Sequence, residues 1–128
     1  MLDSGADPNA RRGGDYNLTP LHLAAEDGEK PRVIRPLVGV GAGPNAQDVR
    51  GHTPLHTAAM FQSREEDQRL ADIALMFNLM AIDELLRAGA DPSVKDADGN
   101  FPWDYAKDRE DLKDDDRNVY WRLNEGRF

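Results

Sequence analysis

Three histidines, His22, His52 and His56, are the residues of this chain most suited to chemistry. Zinc takes three or four nitrogen, sulfur or carboxylate ligands, with no fewer than three in catalytic sites. The chain has no cysteine and these are its only histidines, so a metal centre would depend on carboxylates for completion. Nucleophilic catalysis needs a serine or cysteine activated by a base, and none stands at a recognisable spacing from either His22 or His56. Asp96, Asp98 and Gly99 partly resemble a calcium loop, but the bidentate glutamate at the twelfth position is missing. These residues therefore predict no catalytic group, no cofactor and no metal; the chain is expected not to be an enzyme.

Two of the histidines belong to a recurring string. Thr19-Pro20-Leu21-His22-Leu23-Ala24-Ala25 returns as Thr53-Pro54-Leu55-His56-Thr57-Ala58-Ala59, and a divergent copy follows as Phe101-Pro102-Trp103-Asp104-Tyr105-Ala106-Lys107. A second string alternates with it: Gly5-Ala6-Asp7-Pro8-Asn9-Ala10, Gly41-Ala42-Gly43-Pro44-Asn45-Ala46 and Gly89-Ala90-Asp91-Pro92-Ser93-Val94. Two strings in fixed alternation mean one supersecondary unit in tandem, with a period close to the ~33 residues of such arrays. The pattern resembles the ankyrin repeat family over almost the whole chain, and the end, Tyr120-Trp121-Arg122-Leu123-Asn124, is similar to the cap of short bacterial ankyrin proteins. The resemblance implies an all-α solenoid of about three repeats with hairpin fingers, a long helical insert in the second repeat and a C-terminal cap helix. It also implies that His22 and His56 hydrogen-bond backbone and threonine between neighbouring repeats.

The repeat spacing divides a single 1–128 domain into a partial N-terminal unit at 1–9, repeat 1 at 10–45, repeat 2 at 46–93 and repeat 3 plus cap at 94–128. The first two heptads lie 34 residues apart and the next two 48, while their preceding hairpins match, so 14 extra residues sit near 62–77. The opening at Met1–Asn9 reads as the middle of a unit and suggests a piece of a longer protein; the alternative is that repeat 1 caps the array.

Each repeat opens in the same way. Thr19 and Thr53 are expected N-caps and Pro20 and Pro54 first helical residues, where a missing N–H costs nothing. In the second helix of repeat 1, Pro36 is tolerable only if the helix starts near Val33 and keeps it in the first turn. Phe101 replaces the capping threonine, and Asn100 is expected to take over. In the insert, Ser63 would cap a helix running from about Glu65 to Ala88. Neither Gly nor Pro breaks it, though Asn78 interrupts the apolar stripe and offers a second N-cap. Leu75, Leu79, Ile82 and Leu86 share one face, with Leu70, Ile73, Phe77 and Ala81 beside it. Met76 and Met80 fall among charges and suit an interface as well as core filling. The run 108–116 is acidic and reads as a solvated linker.

A net charge of -8 lacks the basic footprint that nucleic acid or an anionic membrane requires. No basic segment followed by an apolar run opens the chain, and the apolar stretch 70–88 carries too many charges to span a bilayer. With no cysteine this fits the cytoplasm.

By family resemblance the function is non-catalytic recognition of a protein partner on the concave finger and first-helix face. The positions free to specify it are Arg11, Arg12, Asp15, Tyr16, Glu26, Val49, Arg50, His52, Met60 and Phe61. Arginines on the fingers of an acidic chain point to an acidic partner segment, with the module itself a monomer rather than a dimer. Two alternatives stand: self-association through the apolar insert, or the recognition part of a longer protein with an enzymatic domain elsewhere.

Overall fold

A computed structural model describes residues 8–11, 16–26, 31–61, 66–107, 109 and 119–125. The expectations for Met1–Asp7, Ser63 and most of the acidic run 108–116 fall outside these residues. So do Arg12 and Asp15. Among the described residues every regular element is helical: α1 (Pro20–Glu26), a 3₁₀ turn (Pro31–Val33) leading into α2 (Ile34–Gly39), α3 (Pro54–Ala59), α4 (Gln68–Arg87), α5 (Pro102–Ala106) and α6 (Val119–Glu125). The first helices form one row, α1 on α3 on α5, and the second helices another, α2 on α4 on α6. Between the rows lies one buried cluster that includes Leu21, Ile34, Leu55, Ile82, Leu85 and Leu123.

Local chemistry starts α2 and α3 as the sequence predicts, while α4 and α5 take their caps from other residues. Thr53 is extended and its hydroxyl accepts the His56 N–H, while Pro54 opens α3. Pro36 is the third residue of α2, inside the first turn, where it displaces no helical donor. At α5 the cap comes from the other side: the Asp104 carboxylate accepts the Phe101 N–H at 2.8 Å. Asn100 does not cap; its carbonyl is taken by His56 and its amide donates to the Tyr105 hydroxyl.

The turn strings act as staples. Asn9 donates to the Gly41 carbonyl and accepts the Gly43 N–H. One repeat later Asn45 does the same to Gly89 and Asp91. A side-chain amide can satisfy a donor and an acceptor at once, so one residue fixes the spacing of two successive turns.

The insert proves to be an N-terminal extension of the second helix of repeat 2. α4 is unbroken over 20 residues, roughly 30 Å at 1.5 Å per residue, and Asp67 caps it by accepting the Arg69 N–H. Asn78 is no N-cap. It is fully buried in mid-helix, donates to the Ala58 carbonyl and accepts from the Arg109 guanidinium. Nor do the wheel faces all turn inward: Leu70 and Ile73 are exposed, whereas Leu85, off both faces, is completely buried. The C-terminal half of α4 is embedded among α2, α3 and α6, so nearly every direction there is interior. The first ten residues, 68–77, contain no buried side chain.

Candidate protein-binding face

The fingers are built by aspartates. In the second, Asp48 Oδ1 accepts the N–H groups of Arg50 and His52 at 2.8 and 3.0 Å, and Gly51 closes the turn onto the Asp48 carbonyl. The third repeats this, with Asp96 Oδ1 taking the N–H groups of Asp98 and Asn100. Neighbouring fingers are laced by backbone: Val49 N–H donates to Tyr16, and Ala97 N–H to Arg50. Burial alone would raise both carboxyls. For Asp48 the Arg50 bonds and the His52 N–H, and for Asp96 the Tyr105 hydroxyl and the Asn100 and Asp98 N–H groups, hold them below the usual carboxylate range instead. Tyr105 moves the opposite way, raised by burial and by donating to the Asp96 carboxylate.

Beneath the fingers the two threonine–histidine pairs are equivalent. The Thr19 N–H donates to His22 Nδ1, so Nδ1 is the acceptor and Nε2–H donates to the His52 carbonyl, at 2.7 Å. His56 likewise accepts from the Thr53 N–H and donates to the Asn100 carbonyl at 2.9 Å. Each imidazole thus ties its own helix start to the finger of the next repeat, and neither nitrogen keeps a lone pair for a metal. Among the described residues no three His, Cys, Asp or Glu side chains could hold a metal ion.

Burial lowers His22 and His56 below the ordinary histidine value of 6.5, against the opposing pull of the carbonyls they donate to. The unfolded chain therefore binds these protons before the folded one does. Stability is complete above about pH 6.5 and falls as acid is added below it; a second loss follows below about pH 3.8, as Asp48 and Asp96 protonate. The melting temperature should drop from about pH 7 to about pH 5, and His56→Gln should flatten that slope while costing about 1–2 kcal/mol at neutral pH. Thermal scans across pH check both effects.

The proposed surface residues fall into two groups. Arg11, Tyr16, Val49 and Arg50 meet at the fingers. The Tyr16 ring, 46% exposed, lies under the Arg50 guanidinium, 3.9 Å from its centroid, and Val49 is 61% exposed. Arg11 donates to the carbonyls of Asn17 and Gln47, pinning the first finger to the second. Arg50 also pairs with Asp48 at 2.9 Å, so it is half committed rather than a freely solvated charge. Glu26, exposed, and Met60 and Phe61, half-buried, sit at the far ends of α1 and α3, roughly 10 Å away along the helix axes. His52 departs most from expectation. It is buried, stacked on His56 with centroids 5.6 Å apart and paired with Asp96 at 3.2 Å. Tyr105, which nothing in the repeat pattern marked, closes this cluster edge-on to both rings.

Residues 1–96 match a family model described as ankyrin repeats in three copies. The chain belongs to the ankyrin repeat family. Its relatives include human neurogenic locus notch homolog protein 4, 46% identical over 70 residues, 55% of this chain and 3% of that protein. Human SH3 and multiple ankyrin repeat domains protein 2 is 34% identical over 102 residues, 80% of the chain and 5% of that protein. Human NF-kappa-B inhibitor alpha is 48% identical over 40 residues, 31% and 12% respectively. The ankyrin chain thus spans only a small part of the length of these relatives. Ankyrin repeats are in general non-catalytic modules of protein–protein interaction, and no helix among the described residues is long and apolar enough to cross a membrane.

Proposed function

We propose that this ankyrin array binds a partner protein through its concave finger and first-helix face, with Tyr16, Val49 and Arg50 as the anchor and Arg11, Arg12, Asp15, Glu26, Met60 and Phe61 as further contacts. The supporting observation is the arginine–tyrosine stack, held from below by Asp48 and exposed at its rim. Aromatic and arginine anchors dominate binding hot spots, and a side chain already immobilised loses less entropy on binding. The outward edge of the Arg50 guanidinium suits a carboxylate, so an acidic segment is the partner chemistry proposed. The module acts as a monomer in the cytoplasm and carries no catalytic step; any enzymatic activity belongs to other parts of a longer protein.

Charge reversal at Arg50 is a poor test, because a glutamate there would face the buried Asp48 carboxylate and unfold the finger. Tyr16→Ala with Val49→Asp changes only the exposed rim. Proteins captured from native lysate by the wild type, and identified by mass spectrometry, should be lost from the double variant while its unfolding temperature stays within about 2 °C, as for surface changes. Capture of the same set by both proteins would place the binding face elsewhere.

A further inference from the structure

The first half of α4 is a helix with an exposed apolar side and no fully buried side chain. Leu70, Ile73 and Met76 are each about half exposed, and Phe77 and Met80 half-buried beside them. Leu70, Ile73, Phe77 and Met80 follow a 3-4-3 spacing, which forms a straight seam on one helix face and receives a second helix side by side. Leucine, isoleucine, phenylalanine and methionine are the side chains such seams use, and methionine adapts to irregular partners. A helix this short would be marginal in water by itself, so it is carried by its buried C-terminal half.

The border of the seam says what would cover it. Among the described residues at its N-terminal end, exposed Glu66, Asp67 and Asp72 outnumber one guanidinium, Arg69, on a chain of net charge -8. A second copy would bring two such charges together, and an anionic lipid surface would be repelled by the same carboxylates. We propose that residues 68–80 of α4 form a second docking surface, independent of the fingers, for an amphipathic helix of a partner protein with lysine or arginine flanking its apolar stripe. The apolar seam supplies the contact area and the carboxylates the orientation and the encounter rate.

The test uses two synthetic amphipathic helices with leucine at the seam positions, one flanked by lysine and its twin by glutamate, with binding read by fluorescence anisotropy. The lysine peptide should bind at least tenfold more tightly than its twin and weaken as salt rises. Ile73→Glu should abolish that binding without moving the unfolding temperature. Because this change adds negative charge, its failure to bind isolates the apolar seam from simple attraction. Equal binding of both peptides, binding of neither, or unchanged binding to Ile73→Glu overturns the proposal. So does a concentration-dependent dimer, seen by sedimentation, that Ile73→Glu dissociates, since a second copy would then be the occupant.

Discussion

Gly51→Ala is expected to cost about 2–5 kcal/mol, whereas Gly99→Ala, the same change in the next finger, should cost only about 1–2 kcal/mol. Both glycines close an aspartate-led turn with positive φ, +78° and +81°, so the backbone penalty of a side chain is shared. They differ in what lies outside. A Cβ on Gly51 would come within 2.5 Å of the Ala97 backbone nitrogen and 3.0 Å of the Asp96 carbonyl carbon, while one on Gly99 meets nothing. Ala97 is the residue whose N–H donates to Arg50, so the clash falls on the bond lacing the second finger to the third. Backbone cannot rotate away as a side-chain tip can; relief requires separating the repeats. Urea denaturation of the two variants measures the difference, and equal losses would mean that the fingers tolerate separation.

That contrast marks the limit of what the sequence makes legible. The two intact heptads mark the helix starts and the inward residues, because both solve the same local problem with the same side chains, and the histidine ties follow from the family resemblance they carry. Interfaces between copies are less readable: His52 and Tyr105 break the repeat pattern, and only the stacked structure brings them against His56 and Asp96. The insert is hardest. Its periodicity reveals a helix but not which side faces protein, since a wheel presumes one interior direction. α4 has a half surrounded by neighbours and a half with no buried residue, so one stripe cannot describe both. Of the finger positions named from the sequence, Arg11, Tyr16, Val49 and Arg50 do lie in loops. Which of them are spent on structure, as Arg11 is, depends on carbonyls contributed by another repeat.

Asn78 carries the second large effect. Read along the helix it is a polar flaw in an apolar face; in the fold it joins three segments. Its amide nitrogen donates to the Ala58 carbonyl at 3.0 Å, a second bond for an oxygen that already takes the Phe61 N–H. Its amide oxygen receives Arg109 at 2.7 Å, drawing the chain beyond α5 onto α4. Asp83, about a turn and a half along, receives Arg122 of α6 at 2.7 Å in the same way. Asn78→Ala removes one neutral and one charge-assisted hydrogen bond from a site with no solvent access, and opens a void. Roughly 1 kcal/mol for the first and 1.5–3 for the second put the loss near 3 kcal/mol. Met76→Ala, two residues earlier but exposed, should stay within about 0.5 kcal/mol. Asn78→Leu separates volume from polarity: it refills the space yet restores neither bond, so it should recover only the cavity part of the loss. If leucine proved as stable as asparagine, packing alone would hold α4 to α3 and the Arg109 contact would contribute nothing. Amide exchange then gives the finer reading, because loss of the anchor should speed exchange in α6 before it reaches α1.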